Sequence, residues 1–141
     1  MNVLLKKSLQ QQIFQQLVAA HPDEAGGFLL GTRRDQWVSI ESVMPIENIF
    51  ESSERYHRYA MTPVDWMRLE DEADERGLTL VGYYHSHPNS PAIPSLYDRD
   101  HALPNFSYLI TSVMADGARE MLAWHLQDDR QAFSADTLLV E

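Results

Sequence analysis

The chain has 141 residues, 44% of them hydrophobic and 23% charged, enough for one compact domain to bury most of its apolar surface. Eleven basic against 21 acidic residues give a formal charge of −10, and the densest basic clusters are Lys6-Lys7 and Arg33-Arg34, so nucleic-acid binding is disfavoured. Zero cysteines exclude disulfides, Cys-rich zinc ribbons, thiol catalysis and iron–sulfur clusters, while His and carboxylate metal sites stay open.

The N-terminal run MNVLLKKSLQQQIFQQ places its lysines after a short apolar stretch, the wrong order for a secretory signal. No segment approaches the roughly 18 uninterrupted apolar residues of a membrane span. These features predict a soluble, cytoplasmic protein with one domain over 1–141. Ile13, Leu17 and Val18, with Leu9 and Phe14 beside them, predict an amphipathic helix from about Leu5 to Ala20, ended by His21-Pro22.

Ala25 to Thr32 and Trp37 to Met44 read as two strands joined by the polar Arg33 to Gln36. On the second, Trp37, Ser39 and Glu41 share one face and Val38 and Ile40 the other; Val43 falls out of phase, which predicts a bulge near Ser42. Glu47 to Tyr59 reads as a long surface loop leading to a short extended piece at Tyr59 to Met61. Thr62-Pro63-Val64-Asp65 starts a helix that runs to Arg76 and stops at Gly77, with Trp66, Leu69 and Ala73 as its buried stripe and its many acids as a solvated face.

Leu78 to Tyr84 is a central strand, followed by a proline-punctuated loop from His87 to Pro94 and a short helix beginning at Ser95. Phe106 to Met114 and Glu120 to Gln127 are two further strands around the turn Ala115-Asp116-Gly117, and Phe133 to Val140 is the last. Helices and strands without regular βαβ alternation indicate an α+β fold.

The stretch that carries chemistry is His85-Ser86-His87 followed, eleven residues beyond His87, by Asp98. In extended chain His85 and His87 project to the same side while Ser86 points away. A His-x-His pair alone is more often surface or core. Here the following helix can return the Asp98 carboxylate to the same point, and two imidazoles with one carboxylate suit Zn²⁺ with its fourth position open, the mark of a catalytic site. Hydrolysis also needs a carboxylate to take up and return a proton. Glu24, at the mouth of a glycine-containing strand, is the candidate, although alone it would be an ordinary exposed acid.

Together these segments resemble the JAMM (MPN-plus) metallopeptidase family. Its motif reads Glu, then at a distance His-Ser/Thr-His, seven residues, Ser, two residues, Asp. The matching positions are Glu24, His85-Ser86-His87, Pro88 to Pro94, Ser95, Leu96-Tyr97 and Asp98, and Pro22 to Gly31 looks like the family's first-strand signature. The resemblance implies a cytidine-deaminase-like sandwich, a mixed central sheet flanked by helices, holding one Zn²⁺ through His85, His87 and Asp98. It further implies Glu24 as general acid/base and Ser95 as hydrogen-bond donor to the developing oxyanion; Ser95 could instead cap the helix carrying Asp98.

Asp100 competes with Asp98 and is disfavoured only by motif spacing, while His101, one turn beyond Asp98, is either a supporting or substitute ligand or plain surface. His21, His57 and His125 carry no partner pattern. Adjacent strand residues face opposite ways, so Ser86 is not a nucleophile activated by its neighbours.

Many members of this family cleave amide or isopeptide bonds after the C-terminal Gly-Gly of ubiquitin or ubiquitin-like proteins. The small stand-alone bacterial members, which this chain resembles, act on sulfur carriers of the ThiS/MoaD type. A Gly-Gly tail can lie as an added strand in a narrow groove, and Glu47 to Met61, with Arg55, Tyr56, Arg58 and Tyr59, is the candidate for that groove. The alternatives are a metal-free MPN scaffold and a phage-tail-type cell-wall peptidase. Neither nucleic acid nor membrane is an expected partner.

Overall fold

A computed structural model describes residues 1–46 and 63–141. In chain order these form β1 (Asn2–Leu5), α1 (Lys7–Ala20), β2 (Gly26–Arg34), β3 (Trp37–Pro45), α2 (Pro63–Glu75), β4 (Thr79–Pro88), α3 (Leu96–His101), β5 (Ser107–Met114), β6 (Gly117–Leu126) and β7 (Phe133–Val140). The fold is α+β. Its seven strands make one mixed sheet in the order β1-β3-β2-β4-β5-β6-β7, closed where β1 pairs in parallel with both β3 and β7.

The central strands are buried on both faces. Leu29 and Tyr84 join the cluster under α1, with Ile13, Leu17 and Val113, while their neighbours Phe28 and Tyr83 join a second cluster with Leu69 of α2, Ala102 and Tyr108. Side chains alternate along a strand, so β2 and β4 each supply both layers. Burial of such side chains contributes about 1.5 to 3 kcal/mol apiece before the entropy of ordering them is set against it.

β2 enters the sheet through two glycines that lie close to neighbouring backbone. A Cβ on Gly26 would run into the Tyr84 carbonyl oxygen, and one on Gly27 into the Met44 carbonyl oxygen. Gln16 of α1 ties this corner together: its amide donates to the Gly26 carbonyl at 3.0 Å and its carbonyl accepts from the Tyr84 hydroxyl. The start of β2 is therefore fixed against the end of β4.

Most predicted elements lie where the pattern put them. On β3 Val38 and Ile40 are buried and Trp37 exposed, and the ladder with β2 skips Glu41, next to the expected bulge at Ser42. Three corrections are needed. The expected helix from Leu5 begins at Lys7, because Asn2–Leu5 is a strand too short to show a period. Val18, assigned to the apolar stripe, is exposed beside the buried Leu17. The loop expected from His87 begins after Pro88, since β4 stays paired with β5 through Pro88 and Val113.

The expected loop at Glu47 to Tyr59, the extended piece to Met61 and the Thr62 cap lie outside the described residues. Among the described residues no helix is long and apolar enough to cross a membrane.

Candidate metal centre

β4 leaves the core with Tyr83, His85 and His87 on one face and Ser86 on the other. The His85 ring stacks on Tyr83 with centroids 5.6 Å apart. His85 is buried, with 2% of its surface exposed, while His87 is half-buried.

The connection to α3 is pinned to the sheet. The Asn89 amide donates to the Val113 carbonyl at 2.8 Å, Ser112 Oγ to the Ser90 carbonyl at 2.6 Å, and Trp124 Nε1 to the Ala92 carbonyl at 3.0 Å. The segment delivers Ser95 as the N-cap of α3. Ser95 Oγ accepts from the Asp98 amide at 3.0 Å, and Asp98 Oδ2 accepts from the Ser95 amide at 2.9 Å. This reciprocal capping box fixes the carboxylate rotamer.

Three potential ligands meet there. Nε2 of His85 lies 3.2 Å from Nε2 of His87 and 3.3 Å from Oδ1 of Asp98, and His87 Nε2 lies 3.0 Å from Asp98 Oδ2. Tetrahedral ligands held about 2.0 to 2.1 Å from one ion stand about 3.3 Å from one another. The spacing therefore fits a small divalent cation.

Protonation chemistry points the same way. His87 Nδ1 is 2.9 Å from the Pro91 carbonyl, which can only accept, so Nδ1 carries the proton and Nε2 of the neutral ring turns its lone pair toward Asp98. Two acceptors at 3.0 Å require a cation between them, either a proton or a metal ion. Burial opposes the charged form of His87, but the Asp98 and Pro91 hydrogen bonds and the charges of Asp98 and Glu24 outweigh it and raise its pKa. Burial likewise opposes ionised Asp98, and the contacts from His85, His87 and the Ser95 amide outweigh it, holding the carboxyl well below the usual carboxylate range. His85 Nδ1 is buried with no hydrogen-bond partner among the described residues.

An open groove of about 370 Å³ adjoins the cluster, lined by Glu24, His87, Ser95 and Ile93 among others. Glu24 is exposed. The five residues singled out from the sequence thus come to one place, three as a cluster that could hold a metal ion and two on the groove beside it.

Asp100 points away, 3.3 Å from Arg99 Nε and 61% exposed, which separates it from Asp98. His101 also stays outside the cluster, bonding the Tyr97 carbonyl through Nδ1 and packing on the Tyr97 ring. His21 and His125, which show no partner in the sequence, have one in space: Asn89 Oδ1 at 3.0 Å and Asp136 Oδ1 at 2.7 Å. His57 and the loop arginines and tyrosines lie outside the described residues. The supports at Pro91, Trp124 and Ser112 left no readable signal in the sequence, because each uses a backbone acceptor, which has no side-chain identity, and Trp124 and Ser112 reach theirs from more than twenty residues away.

Residues 6–127 match the family described as prokaryotic homologs of the JAB domain. A desampylase of Haloferax volcanii is 32% identical over 104 residues, 73% of this chain and 70% of its own. A probable TtuB-protein conjugate cleaving protease of Thermus thermophilus is 29% identical over 116 residues, 82% of this chain and 72% of its own. Among solved structures, a Salinibacter ruber protein is 33% identical and superimposes with a TM-score of 0.74, covering 100% of this chain and 92% of its own.

Proposed function

This chain belongs to the family of prokaryotic JAB-domain homologs and is a JAMM-type peptidase homologue, and from that premise we propose its reaction and substrate. It hydrolyses, with one Zn²⁺ per chain, the amide or isopeptide bond after the C-terminal Gly-Gly of a ubiquitin-like protein, a sulfur carrier of the ThiS/MoaD type. The observation that carries this reading is the convergence of His85, His87 and Asp98 within 3.0 to 3.3 Å of one another, beside a groove that Glu24 and Ser95 line.

When bound, the zinc ion supplies Lewis-acid polarisation of the scissile carbonyl and of water. The protein's own groups do the rest. His85, His87 and Asp98 are the metal ligands, and the Pro91 carbonyl and the Ser95 amide fix the orientations of His87 and Asp98. Glu24 takes the proton of the attacking water and returns it to the leaving amine. Ser95 uses its oxygen to accept from the Asp98 amide, which leaves its proton for the oxyanion. The groove admits an extended tail, and glycines at its end keep any Cβ away from the ligand cluster.

The relatives' names support a protein conjugate as substrate: one is a desampylase and the other a probable TtuB-protein conjugate cleaving protease. The sulfur-carrier assignment draws on the family resemblance. One helix packed on each face of the mixed sheet supports the cytidine-deaminase-like sandwich that the same resemblance implies. Zero cysteines suit a reducing cytoplasm, with the whole chain acting as one domain.

The test incubates zinc-loaded protein with a panel of ubiquitin-like proteins carrying C-terminal extensions and reads the products by mass spectrometry. Cleavage directly after Gly-Gly is expected, and Glu24→Gln should keep its metal and lose cleavage. Full activity in Glu24→Gln rejects the acid/base assignment. Absence of any cleavage across the panel rejects the substrate class.

A further inference from the structure

We infer that Ser86 is the positioning residue for Glu24. It sits between the two histidines of β4 but faces the opposite way, with no exposed surface. Its amide donates to the Ala25 carbonyl at 2.9 Å, and its hydroxyl accepts from the Ala25 amide at 3.1 Å. Both backbone polar groups of the residue after Glu24 are thus taken by one residue 61 positions away.

Glu24 needs such a device. Its side chain is exposed and makes no hydrogen bond among the described residues, so its place over the groove is set by its backbone alone. Ala25 stands just before the β2–β4 ladder begins at Gly26 and His85, and without the Ser86 hydroxyl the Ala25 amide, next to Glu24, would lose its bond to β4. The Ser86 contacts extend the pairing by one residue and couple Glu24 to the strand that carries both imidazoles. On the solvent side His21 bonds Asn89 at 3.0 Å, which ties the same connection to the other end of the ligand segment. The Ser86 hydroxyl therefore serves the acid/base without touching the reacting atoms.

This inference rests on the reading of Glu24 as acid/base, and its first test needs no catalysis. In metal-free protein followed by NMR, exchange of the Ala25 amide should be slow and should accelerate at least about tenfold in Ser86→Ala, with the Leu29 amide unchanged. In the zinc-loaded protein Ser86→Ala should lower kcat between about tenfold and a hundredfold, with KM within about threefold and full metal content. Because Ser86 acts through Glu24, Glu24→Gln/Ser86→Ala should be no slower than Glu24→Gln. Ser86→Cys, close in size with a weaker acceptor, carries the same tests should Ser86→Ala not fold. Unchanged Ala25 exchange, unchanged kcat, or an additive loss in the double variant overturns the inference. Full activity in Glu24→Gln overturns the acid/base reading instead, and leaves the exchange result to stand by itself.

Discussion

Ser95 and Asp98 satisfy each other's free amide across the first turn of α3, the hydroxyl accepting at 3.0 Å and the carboxylate at 2.9 Å. The same carboxylate oxygen lies 3.0 Å from His87 Nε2. A local capping motif therefore aims a long-range ligand, and loss of the cap should be felt at the metal.

Ser95→Ala should cost about 1 kcal/mol of stability through the lost cap. If Ser95 also stabilises the oxyanion, kcat should fall by a further factor of about 100 with little change in KM. Thermal melts and steady-state kinetics on one preparation separate the two effects. A loss confined to KM would assign Ser95 to substrate positioning.

Removing a ligand should abolish metal binding. His85→Ala and Asp98→Ala should retain no stoichiometric zinc, and added zinc should no longer raise their Tm, whereas zinc at about 1,000 times Kd should stabilise the unaltered protein by about 4 kcal/mol. Metal analysis after dialysis and melts with and without zinc provide the check. Equal zinc content in Asp98→Ala would exclude Asp98 as a ligand.

The metal-free and metal-loaded forms should respond to pH in opposite directions. His87 is raised above 6.5 in the folded protein, so its contribution is fully present below that value and is lost as pH rises through the raised one. Asp98 is lowered from 3.8, so its contribution is present above that value and is lost only as pH falls through the lowered one. Chelated protein should therefore lose Tm from about pH 6.5 upward, relative to a His87→Gln reference. Zinc-dependent stabilisation should grow over the same range, because protons compete with metal for the imidazoles. Melts from about pH 5 to 8 with chelator or zinc test both signs.

Gly26→Ala should destabilise the fold by about 1 to 3 kcal/mol, since its methyl must push the Tyr84 carbonyl away. The same methyl would crowd the His85 Cβ at 3.1 Å, so zinc affinity and kcat should fall as well. Chemical denaturation and metal analysis would reveal it; a Gly26→Ala protein of unaltered stability would mean that the two strands can separate freely at this point.

Trp124→Phe removes the donor that holds the Ala92 carbonyl at 3.0 Å. It should cost about 1 kcal/mol of stability and weaken zinc binding by several-fold, because the segment carrying Ser95 and Asp98 loses an anchor. Competition with a chromogenic chelator measures the second effect.

The convergence of His85, His87 and Asp98 was legible in the sequence because its logic is local. Alternation along a strand puts His85 and His87 on one side of whatever sheet forms, and the three-residue step from Ser95 to Asp98 is the step of a capping box. The bulge beside Ser42 likewise showed as a break in a period of two. What the sequence left open depends on which distant segments meet. Asp98 over Asp100 was decided by the direction in which α3 leaves its cap, and closure through β1 by pairings to β3 and β7 that four residues cannot announce. Sheet register alone sets the Ser86 hydroxyl opposite the Ala25 amide. Periodicity records which way a side chain faces; only the packed sheet determines what it finds there, since backbone donors and acceptors are the same at every residue and choose partners by position.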